Sequence, residues 1–150
     1  MKAKVMERKI LFRGKVKYNG NHLFAGEWVF GSLIVKPSGT FIYIVEEDEF
    51  GNIVREFEAE IFPETVGQFT GLDDKNGKCI FEGDIYKRNT DLYLVTCTTL
   101  GGFLYRQIYD SWTKRNIFGK MEQSWLSAVE CYKYEIIDNI IDNPELIKTI

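Results

Sequence analysis

Histidine is nearly missing from this chain: His22 is the only one in 150 residues. A Ser–His or Cys–His nucleophile pair would have to recruit that one ring, and no serine or cysteine has an evident base partner. His22 follows the Asn19-Gly20-Asn21 turn and reads as a loop residue. There is no HExxH and no paired His–carboxylate spacing, so zinc hydrolase chemistry has no support. Cysteine is scarce as well. Cys79, Cys97 and Cys131 are odd in number and far apart. Without a CxxC pair they signal neither a zinc ribbon nor a thioredoxin-like site. With no signal-peptide pattern they fit a reducing cytoplasm, the localisation expected here. No apolar run approaches the ~20 residues of a membrane helix. Three prolines and no low-complexity tract leave no evident flexible linker. Nor does either sign of charge dominate: 19 basic against 22 acidic residues give a net charge of −3. That balance is too mild by itself to argue for nucleic acid or a membrane surface.

What the chain does have is apolar and aromatic bulk. Hydrophobic residues make up 45% and aromatics 15%, enough for one folded domain over 1–150 or two small subdomains. Charge is uneven along it. Residues 1–20 carry seven basic residues and one acidic, residues 45–64 eight acidic and one basic. Two readings follow. The simpler is a pair of solvated faces, or strands whose charges pair across a sheet. The sharper is a dipolar surface suited to self-association.

Alternation of apolar and polar residues predicts strands throughout. Residues 9–18 alternate imperfectly and end at Asn19-Gly20-Asn21. Residues 27–36 read as a strand in which Gly31 marks a bulge or close packing, and Trp28 reads as core. Residues 40–47 and 53–61 form a hairpin around Asp48-Glu49-Phe50-Gly51-Asn52; Arg55 interrupts the apolar face of its second arm. The acidic tip from Glu46 to Asp48 offers oxygens for a metal, but successive strand residues point to opposite faces, which favours a solvated tip. Residues 85–86, 92–98 and 103–109 read as a meander of short strands. Asp110 to Lys120, with Trp112, Lys114 and Arg115, reads as a mobile contact loop. Met121, Trp125, Ala128, Val129 and Tyr132 fall at helical spacing and predict a helix over 121–130. A closing strand over 132–141 follows. Asn143 as N-cap, Pro144 at the first position and Glu145 predict a helical tail. The expected class is therefore mainly β, with antiparallel sheets: an N-terminal sheet over 1–62, then a barrel-like half from 63 with one short helix and the tail.

The most patterned stretch is central, Glu64 to Ile85, punctuated by Gly67, Gly71, Gly77 and Gly83. Asn76-Gly77 predicts a tight hairpin turn of type I′. An EF-hand reading with Gly77 as sixth residue fails at both ends, placing Leu72 first and Gly83 twelfth. A phosphate loop fails too, lacking Gly-Lys-Ser/Thr and a strand-to-helix context. Glu82 and Asp84 share strand parity and would be the carboxylates of an acid-only enzyme, but at a bend they read as turn caps.

Pro63 to Leu72, Asp74 to Lys78 and Ile80 to Ile85 closely resemble the YopX family of phage and prophage proteins. Lys9 to Arg13 is similar to that family's opening motif. Tyr134 to Ile140, with Asn143 to Leu146, is similar to its closing motif. Phe62 stands where the family usually has Asp, and Asp138 where it usually has Gly, which bears on a bend in the last strand. The resemblance supplies no catalytic residues, so none is assigned. Gly67, Gln68, Gly71, Asn76, Gly77, Glu82, Gly83 and Asp84 are its motif positions and read as structural turns.

The expected function is a small non-catalytic, phage-type protein-interaction module in the bacterial cytoplasm. It would bind a host or phage protein and form a homo-oligomer, with Tyr109, Trp112, Lys114 and Arg115 as contact candidates. The alternative is a single-strand nucleic-acid binder using the basic residues 1–20 and the rings of Phe12, Tyr18 and Trp28. An enzyme ranks last; no cofactor, metal or membrane is expected.

Overall fold

In the computed structural model, described over residues 9–97, 102–110, 115–116, 123–125 and 133–147, the chain forms two compact units, Met1–Gly71 and Leu72–Ile150. Both are built from antiparallel strands.

The first unit contains β1 (Phe12–Lys15), β2 (Trp28–Lys36), β3 (Gly39–Glu47), β4 (Ile53–Glu60) and most of β5 (Gly67–Asp73). Their order is β4-β3-β2-β1-β5. Alternation sets the faces. Leu33 lies opposite Ile42, Ile42 opposite Ala59, and Ile44 opposite Phe57, so one parity collects the apolar residues. Val16, Val29, Ile42, Ala59 and Ile61 form the buried centre. Gly31 sits where a Cβ would run into the Tyr43 carbonyl oxygen, so the glycine serves close packing. The sheet curls at one corner. Lys17 N–H donates to the Glu60 carbonyl and Phe62 N–H to that of Lys15, with a single bridge between Val16 and Ile61.

The second unit continues with β6 (Cys79–Phe81), β7 (Asp84–Arg88), β8 (Asp91–Cys97), β9 (Phe103–Asp110), β10 (Arg115–Asn116), β11 (Gln123–Trp125) and β12 (Glu135–Asn139). The order β10-β9-β8-β7-β12 is an open sheet, with β11 also paired to β9. Both faces bury apolar side chains. Ile80, Tyr86, Val95, Tyr134 and Ile136 cluster on one side; Ile85, Leu94 and Ile108 form another cluster with Leu92, Ile140 and Leu146. Two-sided burial explains why the alternation in this half is blurred. Four tyrosines pack ring to ring: Tyr86 stacks on Tyr93 at 5.1 Å and lies 4.4 Å from Tyr134, while Tyr105 meets Tyr86 edge-on at 5.8 Å.

Three expectations are corrected. No closed barrel forms among the described residues of the second half; the sheet ends at β10 and β12. Gln123–Trp125 is a strand, not part of a helix, because β9 presents an edge with which it pairs, Trp125 against Leu104. Tertiary pairing there overrides a short helical spacing; residues 121–122 and 126–130 lie outside the described residues. The tail is a four-residue 3-10 turn, Pro144–Ile147, rather than an α-helix, since so short a segment offers few i→i+4 bonds. The closing strand is mainly as read, with a register shift between Ile136 and Asp138 at the position where the resemblance flagged a bend.

Candidate functional site

The central stretch folds around Asp74. Its backbone closes a hairpin loop: Asp74 N–H donates to the Lys78 carbonyl at 2.8 Å, and Gly77 N–H donates to the Asp74 carbonyl at 3.0 Å. Gly77 has φ of 78°, whereas Asn76 is not in the left-handed region. The turn is therefore a type I turn followed by a left-handed glycine, not the expected type I′. The cause is the Asp74 side chain. Its Oδ1 accepts the N–H groups of Asn76 (2.8 Å) and Lys78 (2.9 Å), which fixes Asn76 in the right-handed turn. Its Oδ2 accepts the N–H of Ile136 at 3.0 Å, 62 residues away. Lys75 N–H donates to the Tyr134 carbonyl at 2.9 Å, and the Lys75 ammonium pairs with Glu135 at 3.1 Å. Asp74 is only 6% exposed. Burial is the largest influence and opposes its ionisation, but the three backbone donors together outweigh it and hold the carboxyl below its ordinary value. The loop is thus pinned to the start of β12.

The second bend is equally tied. Gly83, with φ of 91°, donates its N–H to the Val95 carbonyl at 2.9 Å and accepts the Ile140 N–H at 2.8 Å. Buried Asp84 accepts the Phe81 N–H at 2.8 Å. Glu82 is half-buried beside them. Gly67 and Gln68 lie in β5 opposite Arg13 and Phe12, and Gly71 bends that strand at φ of 86°.

The contact candidates are placed differently. Tyr109 is a half-buried residue inside β9, opposite Leu92 on one side and Asn116 on the other. Arg115 opens β10 opposite Asp110, so part of the expected loop is strand. Trp112 and Lys114 lie outside the described residues.

In the first unit Glu46 and Asp48 of the acidic hairpin tip are internally committed. Arg55 holds Glu46 through two bonds of 2.8 and 3.0 Å, and that bonding leads the lowering of the Glu46 carboxyl's pKa. Arg55 also lies over Phe57 at 4.7 Å, which is how a cation fits that face. Asp48 Oδ1 accepts the N–H groups of Phe50 and Asn52, both at 2.9 Å. The loop so braced leaves Phe50 80% exposed, beside Ile53 and Val54 at 60% and 62%. Lys17–Glu60 at 3.5 Å and Lys36–Glu58 at 2.6 Å join the basic and acidic segments across the unit. Trp28 is half-buried under Arg13 (4.7 Å) and Lys15 (5.2 Å) rather than in the core cluster. Phe12 pairs with Gly31 and Lys15 with Trp28, so strand parity puts Phe12 and Trp28 on opposite faces. Of the rings proposed for stacking, Phe12 and Trp28 therefore do not share a surface. His22 sits exposed in the loop with φ of 64°.

Sequence reasoning missed one feature. Lys75, Lys87, Arg88, Asn89, Lys133 and Glu135 line a cleft of about 670 Å³ in the second unit. Lys87-Arg88 was visible as a basic pair, but Lys75, Lys133 and Glu135 come from elsewhere in the chain and reach it only through pairing of β7 with β12 and the loop tied to Tyr134 and Ile136. Among the described residues no group of three or more His, Cys, Asp or Glu side chains could hold a metal ion. No helix among them is long and apolar enough to cross a membrane.

The family model described as YopX protein matches residues 12–148. No curated protein matches the chain.

Proposed function

The chain belongs to the YopX family, and we propose that it is a non-catalytic, phage-type protein-interaction module whose contact surface is the β3–β4 tip with the adjoining edge of β4. One observation carries this reading: Phe50, Ile53 and Val54 are each at least 60% exposed at a loop that Asp48 holds in shape. An apolar side chain kept out of the core by a braced loop is available as an anchor. β4 stands at the end of the sheet order. Its first residues therefore offer backbone donors and acceptors to an added strand, the recognition mode that gives affinity through main-chain bonds. The partner is a polypeptide, a second copy of this chain being the first to test.

Sedimentation velocity on the wild type, Phe50→Ser and Val54→Lys separates the outcomes. Self-association in the wild type that both substitutions abolish supports the reading, with a second copy as partner. A monomer that captures a stoichiometric protein from infected bacteria after nuclease treatment, and loses it in both variants, supports a heterologous partner. Assembly or capture that neither substitution changes removes this surface from consideration.

A further inference from the structure

The cleft of the second unit has a composition that selects its ligand. Among the described residues, four basic side chains, Lys75, Lys87, Arg88 and Lys133, line it with one carboxylate, Glu135. Surface cations usually disperse to lower their mutual repulsion. Here secondary structure gathers them. Lys87 and Arg88 end β7, Asn89 turns the chain in a left-handed conformation at φ of 56°, and Lys133 precedes β12. Lys75 is brought in by the loop pinned through Asp74 and Tyr134. Glu135 lies opposite Lys87 in register and bonds Lys75 at 3.1 Å, while Asp91 lies opposite Arg88 on β8. Among the described lining residues the cations outnumber the carboxylate four to one. Arg and Lys together give a fork and point charges, the pairing that suits phosphate oxygens.

We infer that this cleft binds phosphate groups, such as the phosphodiesters of a nucleic-acid strand or the phosphates of a free nucleotide. The described lining residues offer charge and no aromatic ring, so recognition is of the phosphate rather than of the base, with binding indifferent to sequence and sensitive to salt. Lys75 is tied to Glu135 at 3.1 Å, so Lys87 and Arg88 are the side chains taken to engage a strand. For single strands two such contacts correspond to a slope of log affinity against log salt of about −1.4.

The test is fluorescence anisotropy of labelled mixed-sequence single strands at low salt, with inorganic pyrophosphate as the second probe. Lys87→Ala combined with Arg88→Ala is expected to weaken binding roughly tenfold and to flatten the salt slope by about 1.4. Lys87 is exposed and Arg88 half-buried; circular dichroism checks that the variant is folded. Glu135→Gln removes the competing carboxylate and is expected to tighten binding. Glu58→Gln in the first unit changes net charge equally and is expected to leave binding unaltered. Strand binding with these responses identifies a nucleic-acid backbone; pyrophosphate binding alone with the same responses identifies a free phosphate ligand. The inference is overturned if neither probe binds, if the double substitution leaves affinity unchanged, or if Glu58→Gln tightens binding as much as Glu135→Gln. The variants are separate from those at the β3–β4 tip, so either proposal fails without the other.

Discussion

Replacing Asp74 tests the idea that one carboxylate holds the central hairpin to the closing strand. Alanine strands three N–H donors, those of Asn76, Lys78 and Ile136. A hydrogen bond to a charged group contributes about 1.5–3 kcal/mol net. The three share one acceptor group, and the exposed loop donors regain water, so simple addition overestimates the loss. A cost of about 3 kcal/mol is expected, a large part of an ordinary domain's ~5–15 kcal/mol. Asparagine is the finer probe. Its single oxygen can replace Oδ1 and keep the two loop bonds, but its amide then faces the Ile136 N–H, donor against donor. About 1–2 kcal/mol should be lost, a melting shift of roughly 3–6 °C for a chain of this size. The pH dependence has a defined sign. The folded carboxyl lies below the unfolded value near 3.9. Its contribution is therefore complete above that value and disappears as pH falls through the folded one. The stability gap between wild type and Asp74→Asn should be constant near neutrality and close in acid. Thermal denaturation from pH 7 down to about 2.5, with hydrogen exchange at the Ile136 amide, measures both effects. An Asp74→Asn protein that melts with the wild type and retains Ile136 protection would refute the argument.

Two further substitutions test the bends and the tyrosine cluster. Gly77→Ala puts a side chain at φ of 78° and is expected to lower stability by about 1–2 kcal/mol, read by urea denaturation, although nothing crowds the added Cβ. Tyr86→Phe removes a hydroxyl that is fully buried and makes no hydrogen bond among the described residues. Burial, ahead of the neighbouring tyrosines, drives that phenol's pKa up, so it stays neutral. The substitution is expected to be neutral or to stabilise by up to about 1 kcal/mol in the same assay; a loss of stability would show that the hydroxyl has a partner.

Features that depend on neighbours along the chain were legible before folding is considered. Alternation in residues 40–61 specified the β3–β4 hairpin and its faces, because side-chain period follows from backbone geometry alone. Glycine and Asx chemistry located the bends at Gly77 and Gly83. Local signals failed where a neighbouring side chain or a distant strand intervened. Asn76-Gly77 suits a type I′ turn in isolation, but Asp74 draws the Asn76 N–H onto its carboxylate and changes the turn. Trp125 sits at helical spacing, yet it pairs with Leu104 on β9. Tyr109, expected at the end of its strand, lies within β9 with Leu92 and Asn116 opposite it. Only the tertiary structure could bring Ile136 to Asp74 and gather Lys75, Lys87, Arg88 and Lys133 into one cleft. Those juxtapositions depend on strand register. Register is fixed by the summed burial of Tyr86, Tyr134 and Ile136 rather than by any short stretch of sequence.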